Sequence, residues 1–255
     1  MKKVISICLY LFFAFTYAQA TFLEGFGFSL RTGVIKGSDN YGSVMNSFDD
    51  YWSNNGYYES GYDKSGGGNQ QDGIDVFYEK AGLFGLGQKH MLGTQIGYTK
   101  YQDNHFSYTM QNFDVYSFPW PIVMRYENIY AKSEAYSIPV SVYYTYLAGR
   151  KWKFSAGTGL TFLTNKFEGY IKNTEHDTIS GTTVENVIQG NPKTDSIVIP
   201  TINCGIEFLI VKYAGLYMDF GWNLSGKTSA PTQYGDVERD LSGFSFKAGL
   251  RAYLP

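Results

Sequence analysis

Residues 136–162 read YSIPVSVYYTYLAGRKWKFSAGTGLTF, and their character alternates with a period of two. Tyr136, Ile138, Val140, Val142, Tyr144 and Tyr146 share one parity; Ser137, Pro139, Ser141, Tyr143 and Thr145 share the other. After a turn at Ala148, Gly149 and Arg150 the pattern resumes. Trp152, Phe154, Ala156, Thr158, Leu160 and Phe162 then oppose Lys153, Ser155, Gly157, Gly159 and Thr161. Successive side chains of a strand point to opposite faces, so the stretch is a hairpin with one apolar and one polar face.

The same pattern recurs along the chain. Strands are expected over residues 22–34, 73–82, 90–101, 196–209, 214–224 and 242–254, which with the hairpin makes eight. The connections alternate. Polar segments of 36–72, 102–134, 166–195 and 225–241 are long, whereas those near Gly85, Ala148 and Ile210 are short. Phe106 to Met110 and Ile122 to Tyr126 are strand-like within the second long connection and are expected to extend the flanking strands beyond the membrane, with a ten-stranded barrel carrying an extra hairpin here as the alternative. Pro139 and Pro200 each remove a ladder donor, and bulges near the loop ends of their strands are expected to absorb them.

Volume decides which face points out. The large apolar residues on the apolar faces number 33, whereas a closed eight-stranded barrel holds about twelve inward side chains in three layers. The opposite face is rich in Gly, Ser and Thr, which a narrow lumen accommodates. The apolar face therefore turns outward, toward lipid, and a soluble lipocalin-like barrel, with its apolar face inward, is the lesser alternative. Charged residues in the outward parity (Lys36, Asp72, Lys100, Lys132, Glu134, Lys166 and Asp240) mark a rim at the loop ends. Aromatics at Tyr98, Tyr136, Phe162, Trp222 and Phe244 lie just inside it, and Tyr146, Trp152 and Phe208 mark the turn ends.

Targeting signals agree. Residues 1–20 read as a secretory leader, with Lys2 and Lys3 ahead of an apolar run and Ala18-Gln19-Ala20 as cleavage site. An uncleaved anchor is the alternative. Residues 21–255 then form one transmembrane β-barrel domain with 19 basic and 23 acidic residues, net −4. No basic patch points to nucleic acid. Cys204 is the only cysteine after the leader, so no intramolecular disulfide and no thiol metal cluster is expected.

The chain resembles the small outer-membrane barrels of the OmpA/OmpX-like class, the outer-membrane protein β-barrel domain families. The likeness rests on the strand pattern and covers most of residues 21–255. It implies an all-β, eight-stranded, up-and-down antiparallel transmembrane barrel in the outer membrane of a Gram-negative bacterium, reached by Sec export. The partners it implies are outer-membrane lipid, lipopolysaccharide and the barrel-assembly machinery. Barrels of this class commonly end on an aromatic residue; this chain ends Tyr253-Leu254-Pro255.

Parity projects Arg31, Asp75, Glu79, Lys153, Glu207, Asp219, Lys247 and Arg251 into the lumen, four acids and four bases. Buried charges need partners, so a paired, non-conducting plug is expected. The many inward glycines raise a wet, narrow channel as the alternative. In the first long loop Tyr41, Tyr51, Trp52, Tyr57, Tyr58 and Tyr62 stand among Gly, Ser and Asn. That mixture resembles binding-loop composition and points to an extracellular glycan or protein ligand. His105-Phe106-Ser107 sets a base and a hydroxyl two apart, as in small lipid A deacylase barrels, but no acid is assignable from the sequence. The expectation is a monomeric, non-enzymatic barrel with no cofactor and no metal.

Overall fold

The computed structural model describes residues 25–40, 58–65, 70–82, 87–114, 123–177, 180–189, 192–232 and 235–254. Residues 1–20, read above as the leader, lie outside them. Fourteen strands follow in chain order: β1 (Phe26–Ile35), β2 (Ser38–Asn40), β3 (Tyr58–Ser65), β4 (Gln70–Ala81), β5 (His90–Tyr101), β6 (Asn104–Asp114), β7 (Val123–Ala148), β8 (Trp152–Asp177), β9 (Thr183–Gln189), β10 (Lys193–Val211), β11 (Ala214–Asn223), β12 (Lys227–Thr232), β13 (Gly235–Asp240) and β14 (Gly243–Tyr253). Eight of them, β1, β4, β5, β7, β8, β10, β11 and β14, pair antiparallel in that order. β14 closes the ring on β1. Closure leaves no strand edge around the barrel.

The ten-stranded alternative does not hold. β6 follows β5 after two residues and pairs with β7 above it, so it extends a barrel strand instead of adding one. The long connections are correspondingly more ordered than their composition implies. β7 and β8 each run 26 residues and stay paired from Ala148↔Trp152 to Val123↔Asp177. β9 returns along β8, β3 pairs with β6, and a second, three-stranded sheet forms from β12, β13 and β2. In the upper halves of β7 and β8 polar residues occupy both parities, so these stretches lack the period-two signature that makes a half-buried strand legible.

The two prolines are handled by gaps rather than bulges. The β5–β7 ladder skips from Ile96↔Val140 to Thr99↔Ser137, beside Pro139. Pro200 lies just beyond the last β10–β11 pair, Thr201↔Asn223, and its carbonyl accepts from the Leu224 N–H at 3.0 Å.

The apolar parity faces outward. Leu30, Val76, Ile96, Val142, Leu160, Ile202, Met218, Trp222 and Leu250 are all exposed on the barrel wall, Val142 to 57%. Along β8 the band runs from Trp152 to Phe162. At about 3.3 Å per residue and a tilt of roughly 40° that is about 25 Å. The opposite parity fills the lumen, where large side chains sit between small ones. Tyr143 lies in register between Gly93 and Gly157, and a Cβ on either glycine would run into it. Arg31 lies between Gly73 and Gly249. The inward glycines thus make room for neighbouring large side chains.

Candidate functional site

The lumen is organised in three levels. Nearest the short turns is a cluster of two acids and two bases. Lys153 Nζ meets Glu79 Oε2 at 2.6 Å and donates to the Tyr253 hydroxyl at 2.9 Å. That hydroxyl donates to the Glu207 carboxylate at 2.6 Å. Arg251 Nη1 lies 3.4 Å from Glu207 Oε2 and 4.0 Å from Glu79 Oε1, and its Nη2 donates to Gln95 Oε1 at 3.3 Å. Aromatic rings complete the level. The Arg251 guanidinium stands over Tyr217, Phe77 and Tyr143 at 4.6, 5.1 and 5.8 Å, and Lys153 stands over Tyr253 at 4.1 Å. Cation–π contact in a site shielded from water strengthens each of these placements. The cluster is neutral, and its members come from β4, β5, β7, β8, β10, β11 and β14, seven of the eight barrel strands.

The middle level holds a cavity. Arg31 Nη2 pairs with Asp75 Oδ1 at 3.0 Å and donates to Thr99 Oγ1 at 2.6 Å, while Ser29 donates to Asp75 Oδ2 at 2.8 Å. Asp219 and Lys247 are cross-strand partners. Both line, with Arg31, Gln95 and Asn203, a cavity of about 40 Å³. At roughly 10–15 Å³ per water this has room for about three waters.

The outer level is apolar. Ile35, Tyr101, Ala135, Leu163, Ile199 and Leu241 form a buried cluster across the lumen. Leu241 is brought there by the β12–β13 hairpin, which folds over the barrel mouth. Arg239 fastens it on the far side: Nη1 donates to the Ser133 carbonyl and hydroxyl, both at 3.1 Å, and Nη2 donates to the Gln102 carbonyl at 2.8 Å. Asn165 Nδ2 donates to Thr228 Oγ1, and Asn223 Nδ2 donates to the Leu241 carbonyl, each at 2.9 Å. The segment read as the fourth long connection is therefore a lid bonded to barrel strands opposite its own. An arginine and a leucine near the end of a polar segment were the available signal, and a loop reading passes over them.

All eight charges projected inward lie in the lumen region. The structure groups them as Glu79, Lys153, Glu207 and Arg251 at one level and Arg31, Asp75, Asp219 and Lys247 at the next. Phe77, Tyr143, Tyr217 and Tyr253 are additional lumen residues; they share the parity of the charges, and that parity was enough to find them. Of the six loop aromatics, Tyr41, Tyr51, Trp52 and Tyr57 lie outside the described residues. Tyr58 and Tyr62 sit on β3, opposite Gln111 and Tyr108 of β6. His105 has Ser65 and Lys132 as cross-strand neighbours, and the acid Asp63 is placed opposite Ser107. The direct cross-strand neighbours of the base are therefore not carboxylates, whereas a catalytic triad orients its base by an acid. Among the described residues no group of three or more His, Cys, Asp or Glu is placed to hold a metal ion.

No protein-family model matches the chain, and no curated protein sequence matches it. Among solved structures it is similar to Neisserial surface protein A at 14% identity, over 91% of this chain and 98% of that one, with a TM-score of 0.45. It is also similar to OprG from Pseudomonas aeruginosa at 9% identity, over 91% and 96%, with a TM-score of 0.43. Ail of Yersinia pestis follows at 11% identity, over 89% and 99%, with a TM-score of 0.35. Likeness at this level carries no functional information.

Proposed function

We propose that this chain is a non-conducting, non-catalytic outer-membrane barrel of a Gram-negative bacterium, a scaffold that raises extracellular strands for recognition at the cell surface. One observation supports the reading: side chains cross the lumen at two separate levels, in the paired charge cluster near the turns and in the lid with its apolar cluster at the mouth. A pore needs continuous water, and an ion would have to part buried pairs at one level and cross a dry layer at the other. The outward apolar band supports the membrane placement, and the short turns then face the periplasm. The strands that stand above the band, β3, β6, β9 and the upper halves of β7 and β8, are the surface available to a ligand. An extracellular glycan or protein is the proposed ligand class, with the loop tyrosines as its contacts.

In planar bilayers the purified chain is expected to pass no steady current. A variant lacking residues 227–240 is expected to stay silent as well, because the inner cluster remains. Steady ohmic conductance from the unaltered chain would refute the closed lumen and favour the channel.

A further inference from the structure

We propose that the turn end of the barrel binds the headgroups of anionic glycerophospholipids in the leaflet it faces. The proposal rests on the membrane placement above and adds a lipid specificity to it.

Five basic side chains crown this end: Lys80 and Lys89 beside the first turn, Arg150 and Lys151 in the second, and Lys212 in the third. All five are exposed. Among the described residues no acidic side chain accompanies them on the surface. The two acids at this depth, Glu79 and Glu207, point inward and are committed to Lys153, Arg251 and Tyr253. The opposite end differs. There Lys132 pairs with Glu134, Lys166 with Glu168, Lys172 with Glu185 at 2.7 Å, and Lys227 with Glu238 at 2.8 Å. Cations at the loop end are largely neutralised by the chain itself; among the described residues no exposed carboxylate does the same at the turn end.

The crown is fixed in place. The Leu147 N–H donates to the Lys89 carbonyl at 2.8 Å, Leu209 to Lys151 at 2.7 Å and Tyr253 to Tyr213 at 2.9 Å, so each turn is bonded to the next strand pair. Aromatics mark headgroup depth at the same level. Trp152 and Phe208 lie 4.9 Å apart, Lys151 stands over Phe208 at 5.4 Å and Lys212 over Tyr213 at 5.0 Å, and His90 Nδ1 bonds the Tyr144 hydroxyl. Such rings sit where acyl chains give way to headgroups. Lysine and arginine beside them meet phosphate oxygens, which they bind by charge-assisted hydrogen bonds. A glycerophospholipid satisfies both halves of the surface, its phosphate on the crown and its acyl chains on Tyr146, Trp152 and Leu216. A free anion would engage only the first half.

The test uses the full chain, inserted in nanodiscs of equimolar phosphatidylcholine and phosphatidylglycerol and released for native mass spectrometry. Phosphatidylglycerol is expected to outnumber phosphatidylcholine among retained lipids at least about fivefold, the factor expected for a single basic residue at an anionic surface. The preference should shrink at 1 M salt, where screening shortens to roughly 3 Å. A variant with Lys80→Gln, Lys89→Gln, Arg150→Gln, Lys151→Gln and Lys212→Gln should fall to near parity. A loop-end variant with Lys36→Gln, Lys100→Gln, Lys172→Gln and Lys193→Gln should keep the preference. Parity in the unaltered chain, or an unchanged preference in the turn variant, overturns the proposal. A heat-modifiable gel shift reports insertion separately; a chain that inserts but shows no preference contradicts only the lipid site, and one that does not insert contradicts the membrane placement beneath it.

Discussion

Replacing Arg251 by alanine is expected to cost about 3–5 kcal/mol of unfolding free energy, the penalty for breaking a buried ion pair by removing one partner. Arg251 stands between Glu207 and Glu79, bonds Gln95, and lies under three aromatic rings. Without it one positive charge, Lys153, remains among two carboxylates, and the Phe77, Tyr143 and Tyr217 rings lose the group they enclose. The measurement is urea unfolding in lipid vesicles followed by tryptophan fluorescence. The double variant Arg251→Met with Glu207→Gln removes opposite charges together and should recover most of the loss. A change under about 1 kcal/mol in the single variant would place the cluster in contact with water, because exposed pairs are worth about that much.

The second large effect lies on the opposite face. Val142 is exposed and sits at the middle of the outward band on β7. Val142→Arg is expected to cost about 2–4 kcal/mol, as an arginine does at the midplane of a membrane barrel, whereas Tyr146→Arg near the turn end should cost only about 0–1 kcal/mol. The same urea titration reads both. Depth dependence is the point: in a barrel surrounded by water an exposed valine tolerates arginine wherever it lies, so equal and small costs would remove the membrane from the account.

How far these features were legible in the sequence follows from which interactions are local. Parity along a strand is local, so the outward band and the inward charges could be read from alternation alone. Pairing is not local. Glu79 and Lys153 are 74 residues apart, and only the stagger of eight strands brings them to 2.6 Å. The same stagger separates Asp219 and Lys247 from the inner cluster and sets them on the cavity of the middle level. Tyr143 and Tyr217 were visible on the polar parity, but their role was hidden. What defines it is the guanidinium of Arg251, contributed by another strand. The lid was least legible, since Arg239 reads as one more charge in a polar segment until Ser133 and Gln102 are placed beneath it. Of the extra-membrane strands, β6 and the start of β7 were legible as strand-like segments, whereas β3, β9 and the upper half of β8 take their order from ladder partners that the sequence does not announce.

The apolar parity is expected to face lipid and the polar parity to fill a closed lumen. Nitroxide labels placed one at a time in vesicles, in a Cys204→Ser background, test it directly. Labels at Val142, Leu160 and Met218 should be relaxed strongly by oxygen dissolved in lipid and hardly at all by a water-soluble nickel complex. Labels at Thr161, Asn203 and Ser245 should respond weakly to both. If the nickel complex reaches Val142, Leu160 and Met218 as readily as oxygen does, those faces lie in water and the chain is not a membrane barrel.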